Sequence, residues 1–475
     1  MQIEKFLIGN EFISSDNIIE IKNPFTGEVV KKIYKSDKNH IDAALNYLSK
    51  TFLKFKDSPT YLRSDLLERI SKKISEKSEE LAKLITDETG KPVKFSRIEV
   101  DRAVLTFKLG SEEAKRIEGE VLSLDLLKGS ENVMGIVKRF PLGIILAITP
   151  WNFPINLVAH KISPALASGN VVLLKPASAS MTCGIELVKI IKESCDELNM
   201  DYCPVNVVTA SGSEIEQFVS DDRVKLVSFT GSSSVGWELK KKTNRQKISL
   251  ELGGNAGVIV DEDADLKKTA VKITIGGFGQ AGQSCISVQR VFVHEKIYDE
   301  FEKILLGETK KVKTGDPYKD DTDVASMITE KDASKVEAWI NDAVKGGANL
   351  LTGGKRNGAV LTPTILSVTS RDMAVNSNEV FAPLITLTKF SDFRKAVDEV
   401  NDSLYGLQAG VFTKNIENAF YAFRNLEVGG VIINNVSTYR MDSMPYGGVK
   451  DSGNAREGVK YAIDEMTERR VMVVS

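Results

Sequence analysis

Cysteine and histidine are scarce, four and three in 475 residues. The cysteines Cys183, Cys195, Cys203 and Cys285 show no CxxC spacing, and the histidines His40, His160 and His294 stand singly. Such scatter argues against a zinc site or a histidine-based triad, both of which need clustered partners. It also argues against a disulfide scaffold, so the thiols are read as free in a reducing compartment. An excess of one charge is missing too. With 63 basic against 65 acidic side chains, neither nucleic acid nor an anionic membrane is an expected partner. No apolar run approaches the ~18–20 residues of a membrane span. The opening stretch MQIEKFLIGNEFISSDN meets polar and acidic residues too early for a signal-peptide core, and the expected location is the cytoplasm.

What is present is a globular composition, 42% hydrophobic and 27% charged, in a chain long enough for about two to four domains. IEIKNPFTGEVVKKI (19–33) reads as two strands around Asn23–Gly27. Leu66, Leu67, Ile70 and Ile74 keep helical spacing behind a candidate cap at Ser64. Leu81, Leu84 and Ile85 continue it behind Ser78 to Gly90 and Pro92. A further helix runs through Ala103, Phe107 and Leu109 to about Ile117, and 119–140 reads as a two-stranded ribbon turning near Gly129. Short apolar runs GIILAIT, NVVLLK, VNVVT, KLVSFT and KISLEL then alternate with helical segments. This alternation signifies an α/β fold with a parallel sheet wrapped by crossover helices. A second α/β series runs from Asn255 to about Met444, and ERRVMVVS is a lone strand whose edge needs a partner, for which the ribbon is the candidate, within the chain or across a subunit boundary.

Several of these strand ends carry groups with chemistry. FTGSSSVG, with Gly231 and Ser232, is a strand-to-helix turn that can offer amides to a pyrophosphate, or be a plain glycine turn. Lys175 in VVLLKPAS puts a cation at a sheet's carboxyl end, where a lysine is otherwise simply solvated. Asn152 in TPWNFP can donate to a developing oxyanion or bond its own backbone. Glu251 in LELGGN sets a carboxylate at a strand end. Cys285 in GQAGQSCISVQR is a thiol with nothing beside it to activate it.

With TPWNFP, LLKPAS, FTGSSSVG, LELGGN, GQAGQSC, NEVFAP (378–383) and YGL (405–407) together, the sequence resembles the aldehyde dehydrogenase superfamily along nearly its whole length. The resemblance implies a Rossmann-like cofactor domain (1–118 and 141–251), an α/β catalytic domain (252–444) and a β-ribbon oligomerisation element (119–140 and 459–475). It implies Cys285 as nucleophile, Asn152 as oxyanion donor and Glu251 as general base. Lys175 matches the cofactor-ribose and catalytic lysine, Glu379 the holder of the nicotinamide ribose, and Gly231 and Ser232 the pyrophosphate contacts. Trp151 and Phe381 fall in the cofactor cleft. Relatives that pass the acyl group to coenzyme A lack the glutamate of ELGG, so Glu251 favours water as acceptor. Many NAD-preferring members carry Glu where this chain has Ser178, which implies NADP or dual use of NAD and NADP.

The stretches PINLVAHKISPALASGN and YRMDSMPYGGVKDSGNAREG look most like the branch of lactaldehyde, succinate semialdehyde and non-phosphorylating glyceraldehyde-3-phosphate dehydrogenases. Arg440 and Arg290 are the candidate cations for a short polar or anionic aldehyde, with a structural ion pair as the other reading, favoured for Arg290. Enzymes of phosphorylated substrates place arginine directly before the cysteine, where this chain has Ser284. The alternatives are that phosphorylated-aldehyde activity and a non-catalytic homologue on the same scaffold. A homodimer or homotetramer is implied. The glycines around Cys285 are expected to give cofactor and aldehyde room to approach the backbone.

Overall fold

The computed structural model describes residues 2–475. Its centre is a five-stranded parallel sheet whose strands, numbered in chain order, lie 3-2-1-4-5: Val205–Val207, Val171–Lys175, Ile144–Ile148, Val224–Thr230 and Lys247–Glu251. Four of the five apolar runs are strands almost end to end, because a strand covered by helices on both faces must be apolar on both. Val171–Leu174 and Ile144–Ala147 are all essentially inaccessible to solvent. In a 3-2-1-4-5 order the connections diverge between the first and fourth strands, and a crevice opens at their carboxyl ends. The Thr149–Trp151 turn, Lys175, Gly231 and Glu251 stand at that edge.

A seven-stranded sheet forms the second unit, parallel except for its edge strand Asn349–Thr352. Its core strands Ala256–Val260 and Val288–His294 are fully buried. Two small sheets formed by residues 3–34 and the helices Lys38–Phe55, Thr60–Glu76, Ser78–Thr89 and Val93–Ala114 pack on the first sheet. Ser64 is not a cap: the helix starts at Thr60 behind Pro59, and the Ser64 hydroxyl bonds Ser111 Oγ at 2.9 Å inside a helix contact. Ser78 is itself helical and caps nothing, whereas Gly90 ends its helix in the left-handed conformation, φ 67°.

The ribbon is three-stranded. Met134–Pro141 lies between Glu120–Ser123 and the C-terminal strand Thr467–Val474, antiparallel to both and within the same chain. Residues 459–466 do not belong to it. The helix Val459–Glu465 sends Val459 and Ile463, followed by Met466, into the core of the first sheet, so the ribbon's last part begins at Thr467.

Candidate active site

The helix Leu266–Phe278, capped by the Asp265 side chain, delivers the chain to the cysteine. Between them Gln280, Ala281 and Gly282 are all left-handed, with φ of 55°, 54° and 66°. This is a strained path for Gln and Ala, held by its surroundings. Gln280 Nε2 donates to Asn152 O at 2.6 Å, and Asn152 Nδ2 donates to Gln283 O at 3.1 Å. Gln283 Oε1 accepts from Ile328 N at 2.8 Å. The asparagine turn and the cysteine loop, 131 residues apart in sequence, are thus stitched in both directions.

The glycines here also serve close packing within the chain. A side chain at Gly282 would collide with Ala382 O, one at Gly254 with Cys285 O, and one at Gly253 with the Glu379 carboxylate. Gly282 and Gly254 admit the protein's own backbone and Gly253 the Glu379 carboxylate, while Gly253 and Gly279 also stand in cavity walls.

Cys285 lies in the wall of two cavities. One, of about 290 Å³, is lined by Trp151, Asn152, Thr230, Gly231, Ser232 and Gly253, with Glu379 and Phe381. The Trp151 and Phe381 rings meet edge to face at 5.7 Å across it. Ser232 is the N-cap of the helix Ser233–Lys242 but does not cap it with its side chain, so its first amides remain open to an anion. Glu379 accepts from Gly254 N at 3.0 Å, and burial pushes its carboxyl up to about 7 against that amide. Lys175 and Ser178 do not line this cavity. Lys175 ends its strand beside Thr149, whose amide it accepts at 3.2 Å, and burial alone brings its ammonium down to about 8. Ser178 is exposed and starts a short 3-10 turn.

The second cavity, of about 200 Å³, has Phe153, Ser284, Thr438 and Tyr446 in its wall together with two arginines, Arg102 and Arg440. Arg102 bonds Asp442 through Nε at 3.1 Å and Nη2 at 2.7 Å. Burial opposes ionisation of Asp442, but bonds from His160 and Arg102 outweigh it and hold the carboxyl well below the usual range. Arg440 pairs with Glu457 at 2.8 Å. Arg290 is elsewhere. Its guanidinium is buried and donates to the carbonyls of Asn255, Glu399 and Val400 at 3.0–3.3 Å. It binds backbone rather than substrate, and makes no ion pair among the described residues.

Glu251 closes the last strand of the first sheet, but its carboxylate does not touch Cys285. Both oxygens are buried without a partner, in a small cleft shared with Lys161, Ser228 and Glu457. Burial, and then the neighbouring Glu457 charge, raise its pKa well above the ordinary carboxyl value. The Cys285 thiol is pushed up to about 12 by burial, with a 2.9 Å hydrogen bond between its Sγ and Tyr446 Oη pulling the other way. Tyr446, Arg102, Lys161 and Glu457 escaped the sequence reading. Tyr446 and Glu457 lie in the quoted glycine-rich stretch near the C-terminus, but nothing there points to Cys285. Arg102 sits among ordinary helical residues.

The chain has close counterparts among known proteins. The model of the aldehyde dehydrogenase family matches residues 12–472. The 3-sulfolactaldehyde dehydrogenase of Priestia aryabhattai is 42% identical over 98% of this chain and 97% of its own. Among solved structures, aldehyde dehydrogenase 21 from Physcomitrella patens, in complex with the reaction product succinate, superposes with a TM-score of 0.97 at 39% identity, covering 100% of this chain and 98% of its own. Glyceraldehyde-3-phosphate dehydrogenase from Methanocaldococcus jannaschii, complexed with NADP, gives 0.93 at 39% identity over 98% and 100%. Fold and sequence agree, and the chain belongs to the aldehyde dehydrogenase family.

Proposed function

We propose that this chain oxidises a short polar or anionic aldehyde to its carboxylate with NADP or NAD, using water as the acyl acceptor. The observation that carries the reading is the position of Cys285, shared by one cavity with dinucleotide-binding features and another walled by Arg102 and Arg440. The dinucleotide fits the first. Open helix amides at Ser232 suit a pyrophosphate, and Trp151 and Phe381 offer ring edges and faces to flat groups, while outside this cavity the Lys175 ammonium at the sheet edge suits a ribose or phosphate further along a dinucleotide. By the family resemblance, Ser178 stands at the position where many NAD-preferring members carry a glutamate that would repel a 2′-phosphate, which favours NADP tolerance.

Cys285 Sγ attacks the aldehyde carbon as a thiolate. Asn152 has one amide N–H engaged by Gln283 O and turns the other to the developing oxyanion. A dinucleotide held along the first cavity by the Ser232 helix amides, Trp151, Glu379 and Phe381 would supply the hydride acceptor. Glu251, ionised, takes a proton from a water that attacks the resulting thioester, releasing acid and thiol. Because burial raises its pKa, Glu251 is protonated at low pH and idle there. Hydrolysis therefore accelerates as rising pH ionises Glu251, above the range of an ordinary carboxyl, and Glu251→Gln removes that acceleration. In stopped flow, Glu251→Gln gives one burst of reduced cofactor per site and then stalls; a lost burst would place Glu251 before the thioester instead.

Arg102 and Arg440 favour a substrate carrying a hydroxyl, carboxylate or sulfonate near the aldehyde. A panel of short aldehydes, including lactaldehyde, glycolaldehyde and succinate semialdehyde, tested with NADP and NAD by cofactor reduction, decides the matter. The reading fails if no polar aldehyde outperforms propanal. Ser284 before the cysteine disfavours a phosphorylated substrate. The edge strand Thr467–Val474, exposed from Val471 to Val474, supports assembly of two or four copies through the ribbon. The buried free thiols Cys183, Cys195 and Cys203 fit a reducing cytoplasm.

A further inference from the structure

The groups around Cys285 are mostly unsuited to stabilising a thiolate. Glu379 and Glu251 are acidic and oppose it. Asn152 gives one N–H to Gln283 O and keeps the other for the substrate oxygen. Arg440 attracts a thiolate without bonding it: its guanidinium carbon lies 3.7 Å from the Tyr446 ring centroid, and its Nη2 is held by Glu457. Among the described residues one side chain bonds the sulfur: Tyr446 Oη lies 2.9 Å away, able to donate or accept opposite a thiol but only to donate opposite a thiolate.

That donor is well fixed. Tyr446 is 3% exposed, and its backbone exchanges hydrogen bonds with Glu457 in both directions, at 3.1 and 2.6 Å. Burial raises the phenol well above its ordinary value, so the hydroxyl keeps its proton and remains a donor. Packing alone could be met by a phenylalanine ring. Only the hydroxyl reaches Sγ.

We propose that Tyr446 is a catalytic residue whose hydroxyl donates to Cys285 Sγ and holds the thiolate in its attacking position. The thiol proton leaves to water, and Tyr446 keeps its own. As the S–C bond forms, sulfur contributes the electron pair, the carbonyl π pair moves to the oxygen at Asn152, and the Tyr446 bond weakens because sulfur is no longer charged. The proposal rests on Cys285 being the nucleophile, but its test needs no aldehyde. A hydrogen bond to a charged acceptor that is lost on Tyr446→Phe should raise the midpoint of the alkylation-rate profile by at least about one pH unit, slowing iodoacetamide labelling of Cys285 near neutral pH about tenfold or more.

The measurement is the pH profile of Cys285 alkylation followed by peptide mass spectrometry, in wild type, Tyr446→Phe and protein carrying 3-fluorotyrosine at 446. A more acidic phenol donates more strongly, so the fluorinated protein should shift the midpoint downward. An unchanged profile in a Tyr446→Phe protein with wild-type circular dichroism overturns the proposal. If that variant does not fold, the fluorinated protein decides alone, and no downward shift overturns it. Aldehyde oxidation is assayed separately. Shifted profiles in a protein that oxidises no aldehyde would remove the dehydrogenase reading and leave the Tyr446–thiolate bond standing.

Discussion

Asn152 is pinned at one amide N–H and open at the other, which makes it a donor that costs little to orient as charge develops. Asn152→Ala should lower kcat by about 10²–10³-fold with little change in KM, since the bond strengthens only towards the transition state; steady-state kinetics check this, and a change confined to KM contradicts it. Lys175 carries a pH signature. Its ammonium, brought down to about 8 by burial, is charged below that pH and neutral above. NADP affinity measured by fluorescence titration should therefore fall as pH rises through about 8, and Lys175→Met should flatten the curve. Single residues were unevenly legible in the sequence. Cys285, Asn152 and Glu251 sit in motifs whose order and combination stand out. Tyr446 does not, because a tyrosine 161 positions from its cysteine acquires meaning only when the chain folds. Arg290 and Arg102 show the same limit in reverse. Arginine near Cys285 in sequence turned away to bind carbonyls, whereas one on a distant helix came to the cavity.

The turn Pro150–Pro154 is braced from behind by the helix Val93–Ala114. Glu99 accepts from Ile155 N at 2.8 Å and Asn156 N at 3.2 Å, satisfying amides at the start of the helix Asn156–Ala167. Lys91 pairs with the other Glu99 oxygen and lies 4.1 Å from the Phe153 ring centroid. Both charges are essentially buried. Removing one leaves the other uncompensated, so Lys91→Met should cost about 3–5 kcal/mol by denaturant unfolding. Adding Glu99→Gln should recover part of that loss, and a more damaging double variant would contradict the pairing. Strands with apolar runs were readable because burial on both faces demands them. Helix starts were not, since Pro59 rather than Ser64 opens its helix. The left-handed run Gln280–Gly282 was also hidden, because only Gly282 hints at it and the two residues before it adopt the conformation under tertiary constraint.

The whole molecule places the carboxyl edge of one sheet against the loop leading into the other, and the segment Tyr446–Glu457 bridges them. Asn454 Oδ1 accepts from Leu250 N at 2.9 Å, and Ser452 Oγ donates to Gly253 O at 2.7 Å. Ending the chain at Met466 removes the strand Thr467–Val474 and uncovers Met134–Pro141. Light scattering should then show a smaller assembly than wild type, while circular dichroism retains the two main sheets; an unchanged mass would place the contact elsewhere. This division into sheets and ribbon could be read from alternation and spacing, but the place of 459–466 could not, because that helix joins its core through contacts remote in sequence. The shared position of Cys285 has a practical consequence. A small electrophile arriving from the arginine side would cap the sulfur and leave the other chamber unfilled. If the proposed function holds, the labelled protein would no longer turn over yet would still capture a dinucleotide, a ready means of trapping the nucleotide-loaded state for crystallisation.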